Sequence, residues 1–214
     1  ITSSDNFASW GGQEEYRSET LQELVQAVDY VSMHTYPFHD TFYNPQFWVT
    51  RTSSYKEKDD LIKAAMKRSA DYSIKQYMLV KNYIADICPE KEIHIGETGW
   101  ASISTDQYGA EGTRAADEYK QALYYKYISE SCYQLGIKCF YFSAFDEPWK
   151  DFKNPQGSEN HFGLFTVDGK AKYLMWDKVD EGVFSGLSRN GNSIRKTYGG
   201  NLVNLSEDIY HPPS

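Results

Sequence analysis

The chain has 214 residues, 40% of them hydrophobic and 24% charged, with a formal net charge of −8. That length and balance suit one domain with a sizeable core, or two small ones. The acidic excess argues against nucleic acid and anionic membranes as main partners, since both require basic surface. No apolar run of about 18 residues occurs, so no membrane-spanning helix is expected.

Aromatic residues reach 16%, with 18 Tyr, 11 Phe and 5 Trp. Such surface can stack on sugar rings, and part of it will be core. Cys88, Cys132 and Cys139 form no disulfide framework; Cys132 and Cys139 read as buried thiols. No C-x-x-C or H-E-x-x-H pattern supports a metal site, and no glycine-rich dinucleotide or phosphate loop is present. No cofactor is expected.

In chain order, Ile1 to Ser4 reads as the end of a strand, without the charged and apolar regions of a signal peptide. Asn6 to Gly12 is a loop with Trp10 as a candidate surface aromatic. Ser18 to Val28 is a helix capped by Ser18, with Leu21, Leu24, Val25 and Val28 at helical spacing. Asp29 to Tyr36 alternates as a strand, with Tyr30, Ser32, His34 and Tyr36 on one side. Pro37 ends it. Phe38 to Ser54 is a long aromatic loop, and such loops tend to be functional. Lys56 to Ile87 is a long helix with a stripe of Ile62, Ala65, Met66, Ala70, Ile74 and Tyr77. Glu92 to Gly96 is a strand, and Glu97 stands where it stops. Glu111 to Leu135 is a second long helix closed by Gly136. Ile137 to Phe145 is an apolar strand ending at D-E-P-W-K. Lys172 to Val183 is a weaker helix, and the last thirty residues are polar and turn-rich.

Strands alternating with long helices indicate parallel βα units. The predicted strands lie near residues 1 to 4, 29 to 36, 92 to 97 and 138 to 145. In βα barrels chemistry sits at the C-terminal strand ends. Here those ends carry Tyr36, Glu97 and Glu147. For one isolated Glu, a solvated loop position would be the default; three such ends together point to a site.

Three segments carry a family resemblance: V-S-M-H-T-Y-P-F at Val31 to Phe38, I-G-E-T-G-W-A-S at Ile95 to Ser102, and F-S-A-F-D-E-P-W-K at Phe142 to Lys150 followed by E-N-H-F-G-L-F at Glu159 to Phe165. In that order they resemble the sixth, seventh and eighth barrel strands of glycoside hydrolase family 17, the β-1,3-glucanases or laminarinases. Ala101 replaces the proline of the family's E-T-G-W-P-S motif. The resemblance implies an α/β fold, a (β/α)8 TIM barrel of which this chain supplies about four βα units, strands 5 to 8. Residues 1–214 would be the C-terminal half of that barrel, with 174–214 as an extension packed on it.

The resemblance further implies retaining hydrolysis of β-1,3-glucan through a glycosyl-enzyme, with an extracellular or periplasmic location. By the E-T-G-W match, Glu97 would be the nucleophile. Glu147, Lys150 and Glu159 match residues around the family's sugar sites, where they would bind hydroxyls and hold the nucleophile ionised. The plain alternative for each is a surface salt bridge. Tyr36 would orient the nucleophile or touch sugar. His34 is either a substrate contact or a structural histidine. Trp100 and Trp149 are either stacking faces or packing.

One departure stands out. The family's proton donor lies in a G-N-E motif after the fourth strand, and no such motif occurs here. Glu14 and Glu15 have no matching context. The expectation is a donor outside this chain, on a complementary N-terminal half of the barrel. A β-1,3-glucanosyltransferase, or a non-catalytic glucan-binding module if the chain is natively complete, are the alternative functions.

Overall fold

The computed structural model describes residues 1–49 and 57–213. Four parallel strands pair in sequence order: β1 (Ser4–Asn6), β2 (Tyr30–His34), β3 (Glu92–Thr98) and β4 (Cys139–Tyr141). The parallel arrangement is as predicted. Parallel neighbours require crossovers, and helices supply them: α1 (Glu19–Ala27) after β1, α2 (Pro37–Tyr43) and α3 (Lys58–Ile87) after β2, and α4 (Glu118–Leu135) after β3.

The helices form for local reasons. Ser18 caps α1, its Oγ accepting from Leu21 N. Leu21 and Val25 bury their side chains there, whereas Leu24 at the edge of the stripe stays exposed. In α3 the predicted residues Ile62, Ala65, Met66, Ala70 and Tyr77 are buried, and Ile74 packs partly against them. The predicted start of this helix at Lys56, and the loop's end at Ser54, lie outside the described residues. Gly136 ends α4 with φ of 65° and donates its N–H to the last carbonyls, as a left-handed cap does.

Several predicted bounds move. Pro37 does not merely stop a strand. It opens α2, a position where its missing N–H costs nothing, so Phe38 to Tyr43 is helix rather than loop, and Pro45–Phe47 forms a 3₁₀ turn. Helix α4 begins at Glu118, not Glu111, because extended Asp117 caps it by accepting from Lys120 N. The turns at Gly109 and Gly112 precede it. Strand β4 stops at Tyr141. Its continuation leaves the sheet because residues 143–146 pair instead with 162–165, through Ser143 N to Phe162 O and Asp146 N to Phe165 O. The predicted helix at 172 to 183 shrinks to a 3₁₀ turn at Tyr173–Met175 followed by α5 (Trp176–Asp180). A short hairpin, β5 (Ser188–Arg189) and β6 (Asn192–Ser193), and α6 (Leu202–Glu207) complete the chain.

The sheet has two unlike faces. Val31, Met33, Ile93 and Ile95 join a core with Val25, Met66, Val80, Ile84, Tyr124 and Ile128 of the helices. The other face carries Ser4, Ser32, His34, His94 and Glu97. Ser4 Oγ lies 2.8 Å from Ser32 Oγ and 2.6 Å from His34 Nε2. Trp10, read from sequence as a surface aromatic, is 1% exposed and donates its indole N–H to Ser32 O. Cys132 is buried, while Cys88 and Cys139 are half-buried, and all three are free thiols.

Between β2 and β3 the register slips by one. Met33 faces Ile95, but His34 faces Glu97. Gly96 is thus the extra residue of a bulge. The bulge turns Glu97 away from the side of Ile93 and Ile95 and onto the face of Ser4 and His34. A Cβ at Gly96 would lie 1.8 Å from Ser32 Oγ, so the close approach needs glycine.

Candidate active site

Glu97 lies at the C-terminal end of β3, beside a cavity of about 350 Å³ lined by Ser4, His34, Gly96, Phe140, Tyr141 and Phe142. His34 Nδ1 donates to Glu97 Oε2 across 2.9 Å. With the proton on Nδ1, Nε2 accepts from the Ser4 hydroxyl, which Ser32 in turn supports. Tyr36, two residues beyond the end of β2, donates its hydroxyl to the same carboxylate. These donors and the nearby Lys150 charge stabilise the anion. The His34 hydrogen bond leads, and although partial burial opposes it, the Glu97 pKa falls below its ordinary 4.5. Burial and the Glu97 charge push the Tyr36 phenol far upward, so it remains a donor.

Lys150 is placed by two neighbours. Its Nζ stands 3.3 Å from Glu147 Oε2 and 4.0 Å from the centroid of the Phe142 ring. The Glu147 contact is an ion pair without hydrogen-bond alignment, since that oxygen is buried and makes no hydrogen bond. Glu147 therefore keeps an unfilled acceptor beside Lys150. Phe142 belongs to the segment after β4, where the Phe142–Ser143 peptide is cis.

A second cavity, of about 560 Å³, is lined by Tyr36, whose hydroxyl bonds Glu97, and by His39, Tyr43, Asp106, Tyr108 and Glu159 among others. The volume is in the range of small-molecule sites. Glu159 is exposed, with Oε1 3.5 Å from His39 Nε2. His39 Nδ1 faces the Tyr108 hydroxyl at 3.1 Å. Burial lowers the His39 pKa, with Glu159, Asp40 and Asp106 opposing. Burial alone would raise the pKa of Asp106, but donors from Ser104, Tyr108 and Ser158 hold it below its ordinary value.

The structure thus gathers Tyr36, His34, Glu97, Glu147, Lys150 and Glu159 at one end of the sheet. It separates the two tryptophans. Trp149 is 63% exposed, whereas Trp100 is fully buried. Trp100 donates its indole N–H to Ala115 O and packs edge-on to Phe38 and against Trp48 and Tyr124. It offers no face to a sugar, and of its two readings it takes packing. Trp100→Ala should cost about 3–5 kcal/mol of stability, measured by denaturant unfolding. Unchanged stability with weakened glucan binding would show that the ring's role is recognition instead.

His39, Asp106 and Tyr108 were not singled out from sequence. The signal for His39 was Tyr36-Pro37, which read as a helix start would have placed it on the first turn of α2 beside Tyr36. Asp106 had only its S-x-D spacing to Ser104. Among the described residues, no cluster of three or more His, Cys, Asp or Glu side chains could hold a metal ion. Among them also, no helix is long and apolar enough to cross a membrane.

Comparisons with known proteins place the chain among glycoside hydrolases. The chain is 55% identical to an endo-laminarinase from Formosa Hel1_33_131, with a TM-score of 0.96 over 100% of this chain and 55% of that one. It is 37% identical over 110 residues to a glucan 1,3-beta-glucosidase from Arthroderma benhamiae, spanning 46% of this chain and 33% of that protein. A glycoside hydrolase family 17 beta-1,3-glucanosyltransferase from Rhizomucor miehei shares the fold, with TM-score 0.53, 22% identity, and coverage of 81% of this chain and 48% of that chain. The chain therefore spans about a third of the curated relative and 55% of the laminarinase. A family profile described as BtgE/BtgC glycoside hydrolase domain matches residues 2–163. With those residues matched, and with the three motifs meeting at one sheet end, the chain belongs to the BtgE/BtgC glycoside hydrolase family.

Proposed function

We propose that this chain is the nucleophile-bearing part of a retaining β-1,3-glucan hydrolase acting outside the cytoplasm. One observation carries the reading: Glu97, turned by a bulge into the cavity, is held ionised by His34 and Tyr36. A carboxylate held this way is a nucleophile fixed in direction as well as charge. Attack on the anomeric carbon would give a glycosyl-enzyme on Glu97, and water would then release the sugar with retained configuration. Glu147, Lys150 and Glu159 would bind hydroxyls of the bound glucan, with Trp149 as an outer stacking face.

The proton donor in this reading stands on four further βα units, as a separate chain or segment, that complete a (β/α)8 barrel. Three features support it. The G-N-E motif does not occur here. The outer edges of β1 and β4 have no strand partner among the described residues. The laminarinase relative is nearly twice as long as the matched region. A closed barrel would remove both edges. Residues 174–214 would pack as an extension on α4, as the bond from Thr197 Oγ1 to Glu118 Oε2, 2.7 Å long, suits.

The test is laminarin cleavage by the completed barrel, with the anomer released followed by NMR. Initial β product supports retention, and α product would refute it. Longer oligosaccharides from added acceptor would show transfer instead of hydrolysis.

A pH dependence follows. Glu97 has a depressed pKa in the folded chain, so it must stay ionised below the ordinary carboxylate range. Its contribution to stability is present above the unfolded carboxylate pKa and is lost as pH falls through the lower folded value. The acid limb of kcat/KM owed to Glu97 should therefore lie below pH 4.5. His34→Ala removes the leading donor and should move that limb to higher pH; an unmoved limb would mean that His34 does not set the charge of Glu97.

A further inference from the structure

Lys172 lies beyond the residues matched by the family profile and outside every motif discussed so far. It is 1% exposed. Its ammonium makes three contacts: Asp146 Oδ1 at 2.6 Å, Ser102 Oγ at 2.7 Å and His161 O at 3.1 Å. Three N–H donors thus meet three acceptors, which is the full capacity of a lysine. The acceptors come from three different segments. Ser102 ends the I-G-E-T-G-W-A-S stretch that carries Glu97. Asp146 immediately precedes Glu147. His161 follows Glu159 by two residues.

The knot is tightened by further bonds. Asp146 Oδ1 also accepts from Gly163 N at 3.0 Å, and Ser102 N donates to His161 O at 3.0 Å. Asp168 and Gly169 turn the chain back so that Lys172 N can donate to Leu164 O, 3.0 Å away. The backbone thereby brings the Lys172 ammonium to Ser102, Asp146 and His161.

We infer that Lys172 is a positioning residue, whose ammonium fixes the segments bearing Glu97, Glu147 and Glu159 relative to one another. The inference rests on the functional reading above. A buried charge with fixed partners holds distances that apolar packing leaves looser, and misplacement of reacting groups by about 1 Å can cost about 10²-fold in rate. A buried ion pair is a poor argument for stability by itself, so the role must show in the chemistry and not only in unfolding.

The chain contains its own control. Asp117 and Lys120 form a second fully buried ion pair, at the start of α4, and among the described residues the pair makes no side-chain bond to any of the three segments. Two double variants are compared in the completed barrel, each at a temperature where circular dichroism shows it folded. Asp146→Asn/Lys172→Met should lower kcat on laminarin by about 10- to 100-fold. Asp117→Asn/Lys120→Met should leave kcat within about twofold of the parent. The first should also move the acid limb of kcat/KM upward, because Lys150, four residues from Asp146, helps hold Glu97 ionised. Equal kcat losses from the two pairs, or an unchanged kcat in the first, would overturn the inference. Should Asp146→Asn/Lys172→Met not fold, Ser102→Ala decides: it removes one acceptor and should lower kcat several-fold, and a parental kcat would equally overturn it. If the parent barrel itself leaves laminarin intact, the functional reading fails first, which separates the two failures.

Discussion

Glu97→Gln is expected to reduce laminarin hydrolysis by the completed barrel on the order of 10³-fold or more while glucan binding persists. The amide keeps the shape of the carboxylate and can still accept from His34 and Tyr36. What it loses is the negative charge that attacks the anomeric carbon. KM should change little, because the sugar contacts assigned to Glu147, Lys150 and Glu159 are untouched. The measurement is single-turnover cleavage together with affinity electrophoresis in laminarin. Near-parental turnover would remove Glu97 from the role of nucleophile. Lost binding alongside lost turnover would point instead to a sugar-holding role.

The second large effect concerns protonation. A departing sugar alkoxide needs an acid, and such proton transfer contributes about 10² to 10⁴ in rate. Glu97 cannot donate to the leaving group while attacking from the opposite side. Glu147 is already engaged with a lysine partner 3.3 Å away, and its motif match is to a sugar-contacting residue rather than to the donor. Residues 1–214 purified by themselves should therefore leave laminarin uncut, and adding the donor-bearing segment should restore cleavage. An activated aryl glucoside needs little proton donation, so it is the substrate on which residual chemistry by Glu97 should appear, with Glu97→Gln as the blank. Laminarin cleaved by the lone chain at the rate of the completed barrel would place a donor within these residues and return attention to Glu147.

Much of the architecture was legible in the sequence because the signals were regular. The alternation of Val31, Met33, Ile93 and Ile95 marks the covered face of two strands, and the stripe from Ile62 to Tyr77 marks the buried side of α3. Ser18 and Gly136 announce helix ends by chemistry that local backbone requires. Other features depend on tertiary partners that no window of sequence contains. Residues 143–145 continue the apolar run of β4, yet they leave the sheet because 162–165 supplies their hydrogen bonds. Trp10 and Trp100 sit among glycines and polar residues, as surface aromatics do. They are buried because Ser32 O and Ala115 O receive their indole protons. At the site, the E-T-G-W and D-E-P-W-K motifs led to Glu97, Glu147 and Lys150. His39 and Tyr108 were missed because they meet only when α2 and the 104–108 loop fold over the same cavity.

The extra residue in β3 has a consequence for how this region can change. Side chains along a strand go to alternate sides, so Glu97 reaches His34 by virtue of an odd count introduced at Gly96. Parity admits no intermediate values. Lengthening the strand by one further residue ahead of Glu97 would send the carboxylate among Met33, Ile95 and Tyr124, where an unpaired charge is not tolerated, and a side chain at position 96 would drive into Ser32. A gradual series of weaker and weaker nucleophile geometries is thus closed to this segment. Insertion of one glycine here should behave as an on–off lesion, in which chemistry and folding fail together.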